Sequence, residues 1–224
     1  MQAKENLLGY SLESLESFFS KINEPKFRAK QLLKWIHQKG VLDFNLMTDL
    51  NKDLRAKLNS IAFIKPPIIH EEHISKEGTI KYLIALESGS MIEMVEIPEK
   101  NRRTLCVSSQ AGCALQCTFC ATGAQGFDQN LDSHEIIGQL WLSNFHRKYN
   151  QPITNIVFMG MGEPLLNFDA VIESAKIMKH QLAYGLSRKR ITISTSGIVP
   201  NIRKLYDEID VSLAISLHAP DDNL

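Results

Sequence analysis

From Arg103 onward the sequence alternates strand-like and helix-like segments, and this rhythm constrains the fold more than any other feature. Residues 104–109 read as a strand. A helix then opens at Asp132 or Ser133 and runs to about Lys148. Residues 153–159 form a second strand and 168–181 a second helix. Residues 190–195, a short helix over 200–206 and a fourth strand over 211–217 complete the pattern. Such alternation builds a parallel sheet with right-handed crossovers. In parallel α/β barrels, ligands gather at the C-terminal ends of the strands. The residues least suited to plain scaffolding fall at those ends. A cysteine-rich loop follows the first strand and Gly160-Met161-Gly162-Glu163-Pro164 the second. Ser194-Thr195-Ser196-Gly197 closes the third strand and Ser216-Leu217-His218 the fourth.

The residues ahead of this region read differently. Ser11, with Glu13 and Ser14, opens a helix that runs through Ile22. A second helix occupies 26–39 after Pro25 and stops at Gly40, and a third, capped by Thr48 or Asp49, reaches Ser60. Lys65-Pro66-Pro67 breaks the chain. Residues 80–86 and 91–97, joined by Glu87-Ser88-Gly89-Ser90 and ended by Pro98, read as a hairpin. The expected fold is therefore α/β. A small helical domain (1–66) and a β-hairpin connector (67–102) precede an incomplete parallel (β/α) partial barrel (103–224) that stops after its fourth strand.

Two local patterns suggest function. In the second hairpin strand Glu93 shares a face with Met91, Val95 and Ile97. A carboxylate among apolar neighbours binds its proton more tightly and is a general-base candidate; the alternative is an edge-strand glutamate facing water. The second helix carries Lys26, Lys30 and Lys34 at four-residue steps. Residues 21–39 hold six basic side chains against Glu24 alone. Formal net charge is zero, so nucleic-acid contact has to come from such a patch, which reads here either as an RNA-phosphate surface or as a solvated face. No apolar run is long enough for a membrane span and the N-terminus has no signal-peptide pattern, which points to the cytoplasm.

The cysteines carry the chemistry. All four fall between Cys106 and Cys120, and three read Cys113-x3-Cys117-x2-Cys120 with Phe119 before the last. Three thiolates on one loop can hold three corners of an iron–sulfur cube and leave the fourth iron open. A zinc knot that recruits Cys106 as fourth ligand is the competing reading, and a pair of disulfides is disfavoured in a reducing compartment.

The three-cysteine motif resembles that of radical S-adenosylmethionine enzymes. The stretches Cys106–Cys113, Gly160–Asn167, Ser194–Gly197 and Ala214–Pro220 narrow the resemblance to the RlmN/Cfr family of RNA methyltransferases, nearer its RlmN branch. The resemblance implies a radical-SAM-type barrel in which Cys113, Cys117 and Cys120 ligate one 4Fe-4S cluster. Gly162, Glu163, Ser194, Ser216, Leu217 and His218 would contact S-adenosyl-L-methionine. It implies methylation of carbon 2 of adenosine in 23S rRNA and in tRNA through a methyl-carrying cysteine near the family's C-terminus. Glu93 would remove the proton, and Cys106 would resolve the protein–RNA adduct by forming a disulfide. A flavodoxin-type electron donor and a monomeric state are implied too. Methylation at carbon 8, as in the Cfr branch, and a zinc-stabilised, non-catalytic RNA-binding protein are the alternatives. The sequence has no cysteine after Cys120 and ends just past the fourth strand. It therefore reads as an N-terminal piece of a longer protein, expected to assemble a cluster but not to methylate RNA.

Overall fold

The computed structural model describes residues 4–146 and 151–218. The expected end of one helix near Lys148, and Ala219 and Pro220 of the family-like stretch, lie outside them. The chain starts with a short strand, β1 (Glu5–Asn6), and the helices α1 (Leu12–Lys21), α2 (Phe27–His37) and α3 (Lys52–Ile61). The Ser11 side chain accepts from the Ser14 backbone and opens α1 as expected. The cap of α3 is Asn51, whose side chain accepts from Leu54 N at 2.8 Å, and not Thr48 or Asp49. Asp49 is engaged elsewhere, accepting from the Trp35 indole at 2.5 Å. After α3 the strand β2 (Ala62–Phe63) pairs in parallel with β1 and closes the helical segment on itself.

Next come β3 (Ile68–Ile74), β4 (Ile80–Ala85), β5 (Met91–Glu99) and β6 (Arg102–Cys106). The connector is therefore a three-stranded meander rather than a hairpin, since β3 pairs antiparallel with β4. Pro98 does not end β5. Beyond Glu96 this strand pairs with β6 alone, so a residue without an N–H is tolerated on the other side.

Then follow β7 (Gln110–Gly112), α4 (Ala121–Gln125), β8 (Phe127–Asn130), α5 (Ser133–Trp141), β9 (Asn155–Phe158), α6 (Phe168–Lys179), β10 (Ile191–Thr195), α7 (Val199–Glu208) and β11 (Ser212–Ile215). Asp132 and Glu135 form a reciprocal capping box at the start of α5. One seven-stranded sheet runs in the order β11-β10-β9-β6-β5-β4-β3. The first four of these strands are mutually parallel and the rest antiparallel. The parallel half is the expected open barrel wall.

One face of the sheet is packed. Leu105, Ile156, Phe158, Ile191 and Ile193 join Ile136, Ile137 and Leu140 of α5 and Val171, Ile172 and Met178 of α6 in a core that also includes the N-terminal helices. Within it Arg103 and Glu96 form a buried ion pair. Polar contacts hold the helical segment to the barrel around α2 and α1: Trp141 Nε1 donates to Ile36 O, Gln38 Nε2 donates to Gln181 O, His37 Nδ1 lies 3.1 Å from the Tyr184 hydroxyl, and Ser11 N and Ser14 Oγ donate to Glu173 Oε1. Burial favours the neutral imidazole and pushes the His37 pKa down to about 3. A folded-state pKa below the unfolded one means stability present above pH ~6.5 and lost as pH falls from there toward 3. Urea midpoints measured between pH 7 and pH 5 should therefore fall. His37→Gln should flatten that slope, whatever its effect at neutral pH. Among the described residues no helix is long and apolar enough to cross a membrane.

Candidate active site

A cavity of about 420 Å³ opens at the C-terminal ends of the parallel strands. Its wall includes Cys113, Cys117 and Cys120 from the loop after β7, Gly162 and Glu163 from the turn after β9, Ser194 of β10, and Ser216 and His218 after β11. Eight of the residues singled out in the sequence thus meet around one space. Leu217 does not line it and is 82% exposed. Glu93 and Cys106 stand on the sheet beside it.

The cysteine loop is closed at its base, where Cys113 N donates to Gly126 O and Cys120 N to Cys117 O. β7 and β8 pair antiparallel beneath it. Two polar side chains that sequence reasoning missed hold this base. Asn167 Nδ2 donates to both Ser109 O and Leu131 O, and Gln110 reaches the loop and the glycine-rich turn together. Uncharged amides at Gln110 and Asn167 gave no sequence signal beyond lying inside the family-like stretches. On the opposite rim the His218 and Phe119 rings meet with centroids 4.5 Å apart and planes tilted by 43°, and the Ser194 and Ser216 hydroxyls lie 3.3 Å apart.

Glu163 is 4% exposed and already well engaged. Its Oε2 accepts from Ser196 N at 2.8 Å and Ser196 Oγ at 3.1 Å, and its Oε1 from Leu165 N at 3.0 Å. An ionised carboxylate offers about four acceptor positions, so about one remains open toward the cavity.

The setting of Glu93 differs from the expectation. The packed side of β5 is Ile92, Met94 and Glu96; Glu93 stands on the open side, half-buried. It is neither in an apolar pocket nor on an edge strand, since β5 lies between β4 and β6. Its carboxylate is paired with Lys81 Nζ at 2.6 Å. The register places Val95 opposite Cys106, so Glu93, two residues along β5, shares the open face with Cys106. Burial raises the Cys106 thiol pKa, with a hydrogen bond from the Met159 backbone opposing this, so the thiol stays protonated near neutrality.

All four cysteines are free. Among the described residues no three His, Cys, Asp or Glu side chains converge where a single metal ion would sit. A tetrathiolate zinc knot needs four sulfurs on one ion, and Cys106 sits on β6 rather than in the loop. Ligands of an iron–sulfur cube bind three different irons and need not converge, so three thiols spread along a cavity wall suit that group.

A strand-end cysteine triad on an open parallel barrel defines a class, and residues 107–224, just over half of the chain, match the radical SAM superfamily: the chain belongs to it. Residues 5–64 match the ribosomal RNA large subunit methyltransferase N-terminal domain. Over 99% of its length the chain is 55% identical to the dual-specificity RNA methyltransferase RlmN of Pseudomonas putida and to that of Pseudomonas entomophila. It spans 59% and 60% of those relatives. A crystal structure of a radical SAM methyltransferase from Sphaerobacter thermophilus is 38% identical and superposes with a TM-score of 0.88 over 98% of this chain and 65% of that one.

Proposed function

We propose that this chain forms the cluster- and cofactor-binding part of a methyltransferase that acts on carbon 2 of adenosine in 23S rRNA and in tRNA. The observation that carries the reading is the meeting of Cys113, Cys117 and Cys120 with Gly162, Glu163, Ser194, Ser216 and His218 around one strand-end cavity. The likeness to dual-specificity RNA methyltransferases supports the substrate class.

The three loop thiolates would hold a 4Fe-4S cluster. The turn at Gly162 and Glu163, the serines and the Ser216-Leu217-His218 segment would hold S-adenosyl-L-methionine. When bound, the pair supplies a carbon radical by one-electron cleavage of the sulfonium. The remaining work belongs to the chain. Glu93, on the open face, would take the proton from carbon 2, and Lys81 holds its carboxylate in place until the base approaches. Cys106, as its thiolate, would then attack the sulfur of the family's methyl-carrying cysteine, which lies outside this sequence; the S–S bond forms as the bond from that sulfur to the methylene carbon breaks, and the carbon keeps the electron pair and takes up a proton to become the methyl group. Burial of Cys106 makes the thiolate dependent on a deprotonating partner. Lys26, Lys30 and Lys34 are exposed along α2 and would meet RNA phosphates. The electron would come from a flavodoxin-type protein. The enzyme would work as a monomer in the cytoplasm, where thiols stay reduced.

Anaerobic reconstitution with iron and sulfide tests this. About four irons and four sulfides per chain are expected, with a paramagnetic signal on reduction that changes when S-adenosylmethionine is added. A chain that takes up zinc without sulfide, and whose spectrum ignores the sulfonium, sinks the reading.

A further inference from the structure

We propose that Gln110 is a positioning residue that sets the distance between the cysteine loop and the glycine-rich turn, and so couples cluster geometry to cofactor affinity. This rests on the cofactor assignment above. Gln110 is the first residue of β7 and is 1% exposed. Its Oε1 accepts from Glu163 N at 3.0 Å and from Ala114 N at 3.4 Å, so one carbonyl oxygen joins the residue after Cys113 to the residue after Gly162. Its Nε2 donates to Asn130 Oδ1 at 2.8 Å, which fixes the orientation of the amide. The Gln110 backbone N–H donates to Met161 O, tying the same turn a second time.

The packing agrees. A Cβ at Gly162 would lie 2.5 Å from Gln110 Cβ and 2.6 Å from its Cγ, so the turn rests directly on this side chain. Asn130 lies opposite Gln110 in the β7–β8 pair, so the amide also reports the position of the loop's return strand. Nothing in the mechanism above uses Gln110 chemically. Its carbonyl is a buried acceptor shared by two main-chain donors that flank the cysteine and cofactor walls. Removing it leaves both donors unpaired unless the walls move apart.

The test compares Gln110→Met, which keeps the volume without the acceptor, with Gln110→Glu, which keeps the acceptor. Gln181→Met, at an exposed position in the turn after α6, is the control. Each reconstituted chain is titrated with S-adenosylmethionine while the reduced cluster's paramagnetic spectrum is followed. Gln110→Met should retain the cluster but shift the titration midpoint upward by about tenfold or more. Gln110→Glu should recover much of that shift, and Gln181→Met should match the parent. If Gln110→Met titrates like the parent, the inference is overturned. If Gln110→Met loses the cluster outright, Gln110→Glu must restore it, and failure to do so also overturns the inference. A parent chain that shows no cluster or no response to the sulfonium is a failure of the functional reading instead, and is recognised before any variant is compared.

Discussion

Replacing Cys117 by serine is expected to abolish the iron–sulfur content of the reconstituted chain, while Cys106→Ser should leave it intact. Cys117 sits in a loop that contributes nothing to the buried core, so far-UV circular dichroism and the thermal midpoint of the metal-free chain should stay unchanged. Losing one of three thiolates leaves a cube with two protein-free corners, and such a cluster is not retained through desalting. Cys106 belongs to β6, where Val95 and Val157 lie beside it on neighbouring strands. A fourfold thiolate centre would make the two serine variants behave alike. Iron and acid-labile sulfide assays on both, prepared in parallel without oxygen, decide between these outcomes. Equal loss would remove the open-corner reading altogether.

Gly112→Ala is expected to be the most damaging conservative change near the site. Gly112 has φ +70°, and an added Cβ would lie 1.9 Å from Gly126 O and 3.0 Å from its carbonyl carbon. That oxygen accepts from Cys113 N at 2.9 Å and closes the base of the cysteine loop. Backbone cannot yield to a methyl group here without opening the loop. Left-handed strain and overpacking together cost about 2–6 kcal/mol. Thermal unfolding of the metal-free chain should register the destabilisation, and cluster content should fall with it. A variant with parent-like melting and full iron content would show that the contact between Gly112 and Gly126 does not hold the loop.

The parallel half of the fold was legible because its signals are local. Asp132 caps α5 where side-chain chemistry requires it, and the strand-end residues stand out by type. β3 was not legible. It reads Ile-Ile-His-Glu-Glu-His-Ile and is almost wholly exposed, so pairing with β4 forms it rather than burial, and no alternation marks it. The short elements β7, α4 and β8 were hidden for a related reason. They are specified by hydrogen bonds that close the cysteine loop, not by an apolar face. The sequence placed Glu93 on the correct strand but gave it the wrong surroundings. Periodicity shows which residues share a face, and only the tertiary packing of β5 shows that Ile92, Met94 and Glu96 are the inward set. The α3 cap was misplaced because three capping residues lie within four positions, and the Trp35 indole, distant in sequence, takes Asp49. The site was more readable than its supports: the charged and sulfur-bearing residues announced themselves, whereas the buried amides of Gln110 and Asn167 did not.

The antiparallel and parallel strands are continuous through β6, so one wall carries two kinds of group. Residues of the cavity hang from the barrel half, whereas Lys81 and Glu93 hang from the meander, which has its own turns and its own free edge among the described strands. The two halves meet at one hydroxyl, because Ser108 Oγ donates to Glu93 O of the meander and accepts from Met161 N of the turn after β9. A substitution that displaces β5 at this point is therefore transmitted to the glycine-rich turn, so the open face and the cavity mouth shift as one piece.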